Sequence, residues 1–250
     1  MMRRVAFVTG AGRRIGADIA RRLAREGYAV ALTANSSREG AQRVAAEIVA
    51  GGGDAQVYGV DLADPEAAAA AFVQAAREFG PIELLVNNAA AFEDDSIAQL
   101  DLVLWRRQFA VDLETPVFLT GVFAQALPPG VEGCVVNILD QRVLKLTPQY
   151  LSYTLAKSAL WTATRTLAQA LAPRIRVNAV GPGPTYPSER DGEAGLNHEA
   201  QGTLLGRAVL GEEIAEAVVY LAGARKVTGQ IVCVDSGQHL GWRTPDIVDI

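Results

Sequence analysis

Short runs of β-branched and apolar residues alternate with longer segments of helical period along nearly the whole chain, and this alternation constrains the fold more than any other feature. Parallel strands cannot be joined by a tight hairpin; each pair needs a crossover of about a dozen residues or more, usually a helix. The runs at 4–9, 29–33, 55–60, 84–87, 134–138, 176–179 and 231–234 read as strands. Helical period covers about 15–26, 37–50, 65–79, 101–127, 151–171 and 212–221. Pro65 after Asp64 suits a helix start, and Gly27 and Gly80 suit helix ends. The expected architecture is an α/β doubly wound sheet of seven parallel strands with helices on both faces, in a single domain over residues 1–250. The stretch 181–202 breaks the pattern with prolines, glycines and polar residues, and a lid-like loop is expected over 185–205.

Composition narrows the functional classes. Half of the 250 residues are hydrophobic and a fifth are charged, so a sizeable core forms without staples and disorder is disfavoured. A net charge of −5 gives no global attraction to nucleic acid or an anionic membrane, and neither is expected as a partner. Cys134 and Cys233 sit in apolar runs without metal-ligand spacing, and with only His198 and His239 besides, no metal site is expected. The N-terminal apolar run is too short for the core of a leader, and none approaches the ~20 residues of a membrane span. A cytoplasmic protein is the expectation.

The segment "TGAGRRIG", Thr9 to Gly16, follows the first strand and opens the first helix. A strand, glycine turn and helix start present backbone N–H groups and a helix dipole to a pyrophosphate. Gly10, Gly12 and Gly16 follow a G-x-G-x-x-x-G spacing, which a plain structural turn also satisfies. An acid about 20 residues on would bind a free ribose 2′-hydroxyl. Here "ALTANSSREG" holds no carboxylate before Glu39. Asn35, Ser36 and Ser37, with Arg13 near the turn and Arg38 behind, suit a 2′-phosphate instead. Cations at a helix N-terminus oppose the macrodipole unless an anion is bound. The expected cofactor is therefore NADP(H).

In "SYTLAKSAL", Tyr153 and Lys157 lie four residues apart at helical period, so they share one face. An adjacent ammonium is expected to lower the phenol below its usual pKa of about 10 and make it a usable general acid or base. By itself the pair reads better as a core tyrosine and a surface lysine on an amphipathic helix.

With "TGAGRRIG", "VDL" at Val60 to Leu62, "NNAA" at Asn87 to Ala90, "RIRVNAVGPGPT" at Arg174 to Thr185 and "VTGQIVCVDSG" near the end, the chain resembles the short-chain dehydrogenase/reductases over essentially its whole length. That resemblance implies a single-domain Rossmann-like fold, usually tetrameric and sometimes dimeric, that passes hydride between nicotinamide and a small-molecule substrate. It makes Tyr153 the acid/base and gives Lys157 the nicotinamide ribose. It also places Gly10, Arg13, Arg14, Ile15 and Gly16 at the phosphates, Asp61 and Leu62 at adenine, and Asn88, Ala89 and Ala90 along the cofactor. Pro182, Gly183 and Thr185 would cover the nicotinamide end. Independently of the resemblance, the helices carrying Trp105 and Trp161 have longer apolar faces than one sheet can cover, so subunit contacts are expected there.

Three departures from the family pattern carry more information than the agreements. Asp140, in "NILDQRV", stands where a serine usually orients the substrate, and Asp112, in "FAVDLETP", stands where an asparagine is usual. Arg14 replaces the middle glycine of the turn. Arg14 and Asp140 resemble the pteridine-reductase branch, and Phe92 falls where that branch has an aromatic stacking on the pterin. The expected substrate contacts are thus Arg14, Phe92, Asp140 and Tyr153, with Arg14 reaching over the pyrophosphate toward the substrate mouth. Asp140, partly desolvated, would relay a proton through Tyr153 or water. For Asp112 two outcomes stand open: it substitutes for asparagine if the backbone carbonyl and a water matter, and it alters the relay if the amide N–H₂ matters. The reading is an NADPH-dependent pteridine-type reductase. A broader carbonyl or 3-oxoacyl reductase and a nucleotide-binding relative without turnover are the alternatives. Direct titration should show NADPH binding more tightly than NADH; equal or tighter binding of NADH would refute the reading of the second strand's end.

Overall fold

The computed structural model describes residues 4–188 and 191–242, so Glu189 and Arg190 of the expected lid lie outside the described residues. Strand β1 (Arg4–Val8) shows why the sheet is covered on both sides. Side chains alternate across a strand. Val5 and Phe7 enter one apolar cluster, Ala6 and Val8 another, and all four are fully buried. The same division runs along β2 (Tyr28–Ala34) and β5 (Gly133–Ile138). Strands buried on both faces have no polar side, so they read as continuous apolar runs.

One face is covered by α1 (Arg14–Arg25), α2 (Arg38–Ala50) and α8 (Gly211–Gly223), through Ile19, Leu23, Val44, Ile48, Ile214 and Val218. The other is covered by α3 (Pro65–Phe79), α5 (Thr115–Ala126) and α6 (Leu151–Leu171). There Phe72 packs between Phe7 and Phe123, with ring centroids 5.2 Å and 6.2 Å away. Asp64 caps α3 by accepting from Glu66 N and Ala67 N at 3.0 Å each, with Pro65 at the first helical position.

With β3 (Ala55–Gly59), β4 (Leu84–Asn87), β6 (Ile175–Pro182) and β7 (Ile231–Val234), the parallel sheet has the order β3-β2-β1-β4-β5-β6-β7. The chain winds outward from β1 to β3, then crosses back to β4 on the other side of β1. This reversal opens a crevice beyond the carboxyl ends of β1 and β4.

Three expectations need correction. The helix expected over 101–127 is α4 (Leu102–Phe109), a π-helical turn (Ala110–Glu114) and then α5. A single wide turn inserts a residue into the ladder without disturbing the apolar pattern enough to be read from it. The stretch 181–202 is not all loop, since α7 (Gly192–Gln201) lies within it; only Ala200 of that helix is buried, so it carries no apolar stripe. Strand β6 also runs past its expected end, because Val180, Gly181 and Pro182 pair with Val232, Cys233 and Val234. Among the described residues no helix is long and apolar enough to cross a membrane. Phe72→Ala should lower the unfolding free energy by about 3–5 kcal/mol in denaturant titration; a loss under about 1 kcal/mol would show that the Phe7–Phe72–Phe123 contact closes up on its own.

Candidate active site

At the crevice, the turn after β1 meets the segment after β4. Gly10 adopts φ +64°, and its N–H donates to Thr33 Oγ1 at 3.2 Å. Asn88 Nδ2 donates to the carbonyls of Thr9 and Gly10 at 2.9 Å and 3.1 Å, and Thr9 Oγ1 accepts from Asn88 N and Ala89 N. A Cβ on Gly16 would sit 2.3 Å from Gly10 O and 2.4 Å from Asn88 Nδ2. The glycines here serve close packing between two loops, and that packing fixes where the amides at the start of α1 lie.

These elements, with the ends of β2, β5 and β6 and the first turns of α6, wall a cleft of about 790 Å³, within the range of ligand and cofactor sites. Gly10, Arg13, Arg14, Ile15 and Gly16 line one end. Asn35, Ser36, Ser37, Asp61 and Leu62 flank it, and Asn88, Ala89 and Ala90 run along it. Phe92, Asp140, Tyr153, Lys157, Pro182, Gly183 and Thr185 line the other end. Asp112 is not on the wall; it lies fully buried behind it.

The chemistry at the first end suits an anion. Helix α1 starts without a side-chain cap or an acid in its first turn, and two guanidinium groups line the cleft beside it. No carboxylate from residues 34–40 lines the cleft. Arg38 is a partial exception to the expected cluster: it lies across Gly59, where a Cβ would come within 1.4 Å of its Nη2. Asp61 accepts from Ala63 N at 3.0 Å and sits 3.9 Å from Arg107 Nη1.

Arg14 occupies a left-handed conformation, φ +54°, which favours glycine. Its side chain lines the cleft and reaches the segment after β6. Nη2 donates to the carbonyls of Tyr186 and Pro187 at 3.1 Å and 2.9 Å, and the Tyr186 hydroxyl donates to Asp18 of α1. Arginine in place of glycine thus ties the segment after β6 to the start of α1.

At the other end, α6 presents Tyr153 and Lys157 one turn apart. The Tyr153 hydroxyl donates to Asp140 Oδ2 at 3.3 Å. Lys157 Nζ donates to Ile138 O at 2.9 Å and lies 3.2 Å from Asp112 Oδ1, while Asp112 Oδ2 accepts from Ala91 N at 3.2 Å. Asp112 sits in the π-helical turn, a feature that recurs at functional sites. Burial pushes its carboxyl up to about 6, against the pull of the Lys157 ammonium and the Ala91 amide. Burial likewise raises Asp140, opposed by Arg142.

The expectation that Lys157 lowers the Tyr153 phenol is overturned. Burial first, then the Asp140 and Asp112 carboxylates, hold Tyr153 well above the usual phenol range. Lys157 is committed to Asp112 and Ile138, so its charge is compensated before it reaches the phenol.

Several site features have no local signal in the sequence. Tyr150, just before α6, adopts φ +54° and stacks on Phe92, with centroids 4.4 Å apart and planes 8° from parallel. Asp95 accepts from Ser152 N at 3.1 Å and 3.2 Å, capping α6 from the segment after β4. Arg142 lies over both Tyr150 and Phe92. His239 Nδ1 lies 2.6 Å from Asp235 Oδ2.

Comparison with known proteins settles the family. The family model described as enoyl-(acyl carrier protein) reductase matches residues 10–239. The chain belongs to the short-chain dehydrogenase/reductase family. It is an oxidoreductase of that family. The crystal structure of FolM alternative dihydrofolate reductase 1 from Brucella canis complexed with NADP is 48% identical, with a TM-score of 0.95 over 99% of this chain and 98% of that one. A cis-4-hydroxycyclohexanecarboxylate dehydrogenase of Sinomonas cyclohexanicum is 37% identical, covering 94% of this chain and 96% of its own. An uncharacterized oxidoreductase of Methylorubrum extorquens is 36% identical, covering 94% and 97%.

Within this oxidoreductase the Asp112–Lys157 pair carries a pH signature. An unfolded aspartate titrates near ~3.9, whereas Asp112 in the fold titrates at about 6. Between those values the folded chain keeps a proton that the unfolded chain has released, so this group's contribution to stability falls as pH rises through the window. Unfolding free energies of wild type and Asp112→Asn should therefore converge or cross in the variant's favour from about pH 4 to pH 6; parallel curves would show that Asp112 does not titrate there.

Proposed function

We propose that this oxidoreductase uses NADPH to reduce a flat, pteridine-type C=N substrate of the dihydropterin or dihydrofolate kind. The observation that carries this reading is the Asp140 carboxyl, set against the Tyr153 hydroxyl where the family usually has a serine. Similarity at 48% identity to a structure described as an alternative dihydrofolate reductase with NADP supports it.

The cofactor fits the residues present. The first amides of α1 with Arg13 would hold its pyrophosphate, and Asn35, Ser36 and Ser37 its 2′-phosphate. Asp61 and Leu62 would flank the adenine, and Asn88 to Ala90, Lys157 and Pro182 to Thr185 the nicotinamide half. Bound there, the cofactor would supply hydride chemistry for a C=N carbon whose nitrogen needs a proton.

That proton is the protein's task. Tyr153, held in its protonated form by burial and two carboxylates, carries a proton at Oη inside the cleft. Asp140, also raised by burial, shares the hydrogen bond through which the phenol is reprotonated. Phe92 is 44% exposed on the cleft wall and offers an aromatic surface to a planar ring. One of its faces is already stacked by Tyr150, so a ring stacked on Phe92 takes the opposite face or displaces Tyr150. A second reading, reduction of a ketone or 3-oxoacyl group, is favoured by the 37% identical dehydrogenase of a hydroxycyclohexane carboxylate.

NADPH oxidation, followed by its absorbance, should proceed with dihydropterin or dihydrofolate in preference to a ketone panel. Tyr153→Phe should lower kcat by about 10²–10⁴-fold, and Asp140→Ser should diminish dihydropterin turnover. Activity confined to ketones would move the assignment to the second reading, and undiminished turnover by Asp140→Ser would remove Asp140 from the proton path.

A further inference from the structure

Two residues beyond Asp140, the chain makes a short turn, Gln141–Val143, that returns Arg142 to the cleft. The Asp140 carboxylate folds this turn by accepting from Arg142 N at 2.8 Å. The guanidinium then lies over aromatic surface, its Cζ 4.6 Å from the Tyr150 ring centroid and 5.6 Å from that of Phe92. Its Nε is 3.8 Å from Asp140 Oδ1, an ion pair too long to be a hydrogen bond. The Arg142 side chain is only 16% exposed, and its Nη1 is enclosed without a hydrogen-bond partner among the described residues.

A guanidinium has five N–H donors in a fixed plane, and a ring face compensates charge without accepting those hydrogens in the plane. An enclosed donor without an acceptor is costly, so such a group in a native site calls for an acceptor that arrives with something else. The nearest carboxylate, Asp140, spends Oδ2 on Tyr153 and Oδ1 on the Arg142 backbone. What enters beside Phe92, Tyr150 and Tyr153 is the substrate.

We infer that Arg142 is a specificity-determining residue whose guanidinium takes an oxygen acceptor of the flat substrate, either a ring carbonyl or a carboxylate. This rests on the pteridine reading and adds to it the group by which the substrate is chosen. Asp140 and Tyr153 face the atoms that react, while Arg142, on the same short turn, faces an oxygen elsewhere on the molecule. The strained backbone at Tyr150 places the ring on which the guanidinium rests.

The test compares wild type with Arg142→Gln and Arg142→Lys at saturating NADPH, using dihydropterin, which has the ring oxygen alone, and dihydrofolate, which adds a carboxylate tail. In parallel, quenching of ligand fluorescence gives the Kd of pterin and folate for the enzyme with NADP⁺. For Arg142→Gln, KM and Kd should rise about tenfold or more with kcat within about threefold, and Arg142→Lys should recover part of the loss. Loss on both ligands assigns the ring carbonyl; loss on the folate compounds alone assigns the carboxylate. Unchanged KM and Kd with both ligands, or a shift confined to kcat and its pH profile, would overturn the inference and leave Arg142 a positioning residue for Asp140. If wild type reduces neither substrate, the proposed function fails by itself. The binding arm still decides on Arg142: weaker binding by Arg142→Gln upholds it, and equal or absent binding by both proteins sinks it.

Discussion

The contact between Lys157 and Asp112 governs the chemistry of the cleft. Both side chains are almost completely enclosed, and removing two charges from water costs several kcal/mol each unless geometry and hydrogen bonds return it. Here the compensation is specific: Ile138 O accepts from the ammonium, and Ala91 N donates to the carboxylate. Asp112 reaches this place on the π-helical turn between α4 and α5. An ammonium left uncompensated beside Tyr153 would favour the phenolate. With burial of the phenol first, then the Asp140 carboxylate and then Asp112 acting against it, the balance reverses and the phenol keeps its proton. A site arranged in this way is disposed to give a proton, the direction a reductase needs.

The cleft is polarised along its length by the same economy of placement. At the amino end of α1 the donors are backbone amides and two arginines, without an acid in the first turn. At the start of α6 the groups are carboxyls raised by burial. The sheet order sets these ends on opposite sides of the β1/β4 switch point, and Asn88 fastens the two sides with hydrogen bonds to Thr9 and Gly10. The segment after β6 is held to α1 by Arg14, which adopts the left-handed backbone that glycine would adopt freely and gains two carbonyl contacts by its side chain.

Features that depend on local pattern were legible in the amino-acid order. The central strands announced themselves because burial on both faces makes them continuously apolar, and Tyr153 and Lys157 announced a shared helix face by their spacing. Asp140 was found because it departs from a position where a serine is usual, and it does lie against Tyr153. What escaped depends on contacts between distant segments. Asp95 caps α6 across the fold, and Tyr150 takes its left-handed conformation without glycine or asparagine to signal it. The π-turn inserts one residue into a ladder whose apolar period barely changes. The sign of the Tyr153 shift escapes the sequence for the same reason: spacing reveals that Lys157 is near, but not the burial of the phenol or the Asp140 and Asp112 carboxylates around it.

The exchange of serine for aspartate beside the phenol now has a physical reading. A neutral hydroxyl stabilises negative charge growing on a carbonyl oxygen, and an anionic carboxylate in its place would oppose that charge. An imine nitrogen instead gains basicity as hydride arrives at its neighbour and draws a proton rather than leaving an oxyanion to be held. A carboxyl sharing a hydrogen bond with the phenol serves that demand in either of its protonation states, as acceptor when ionised and as proton source when not. Burial makes the protonated state accessible, while the Arg142 guanidinium keeps the ionised state from becoming prohibitive. On the proposed function the aspartate is adjusted to the proton, and the arginine two residues on is left to the substrate's oxygen.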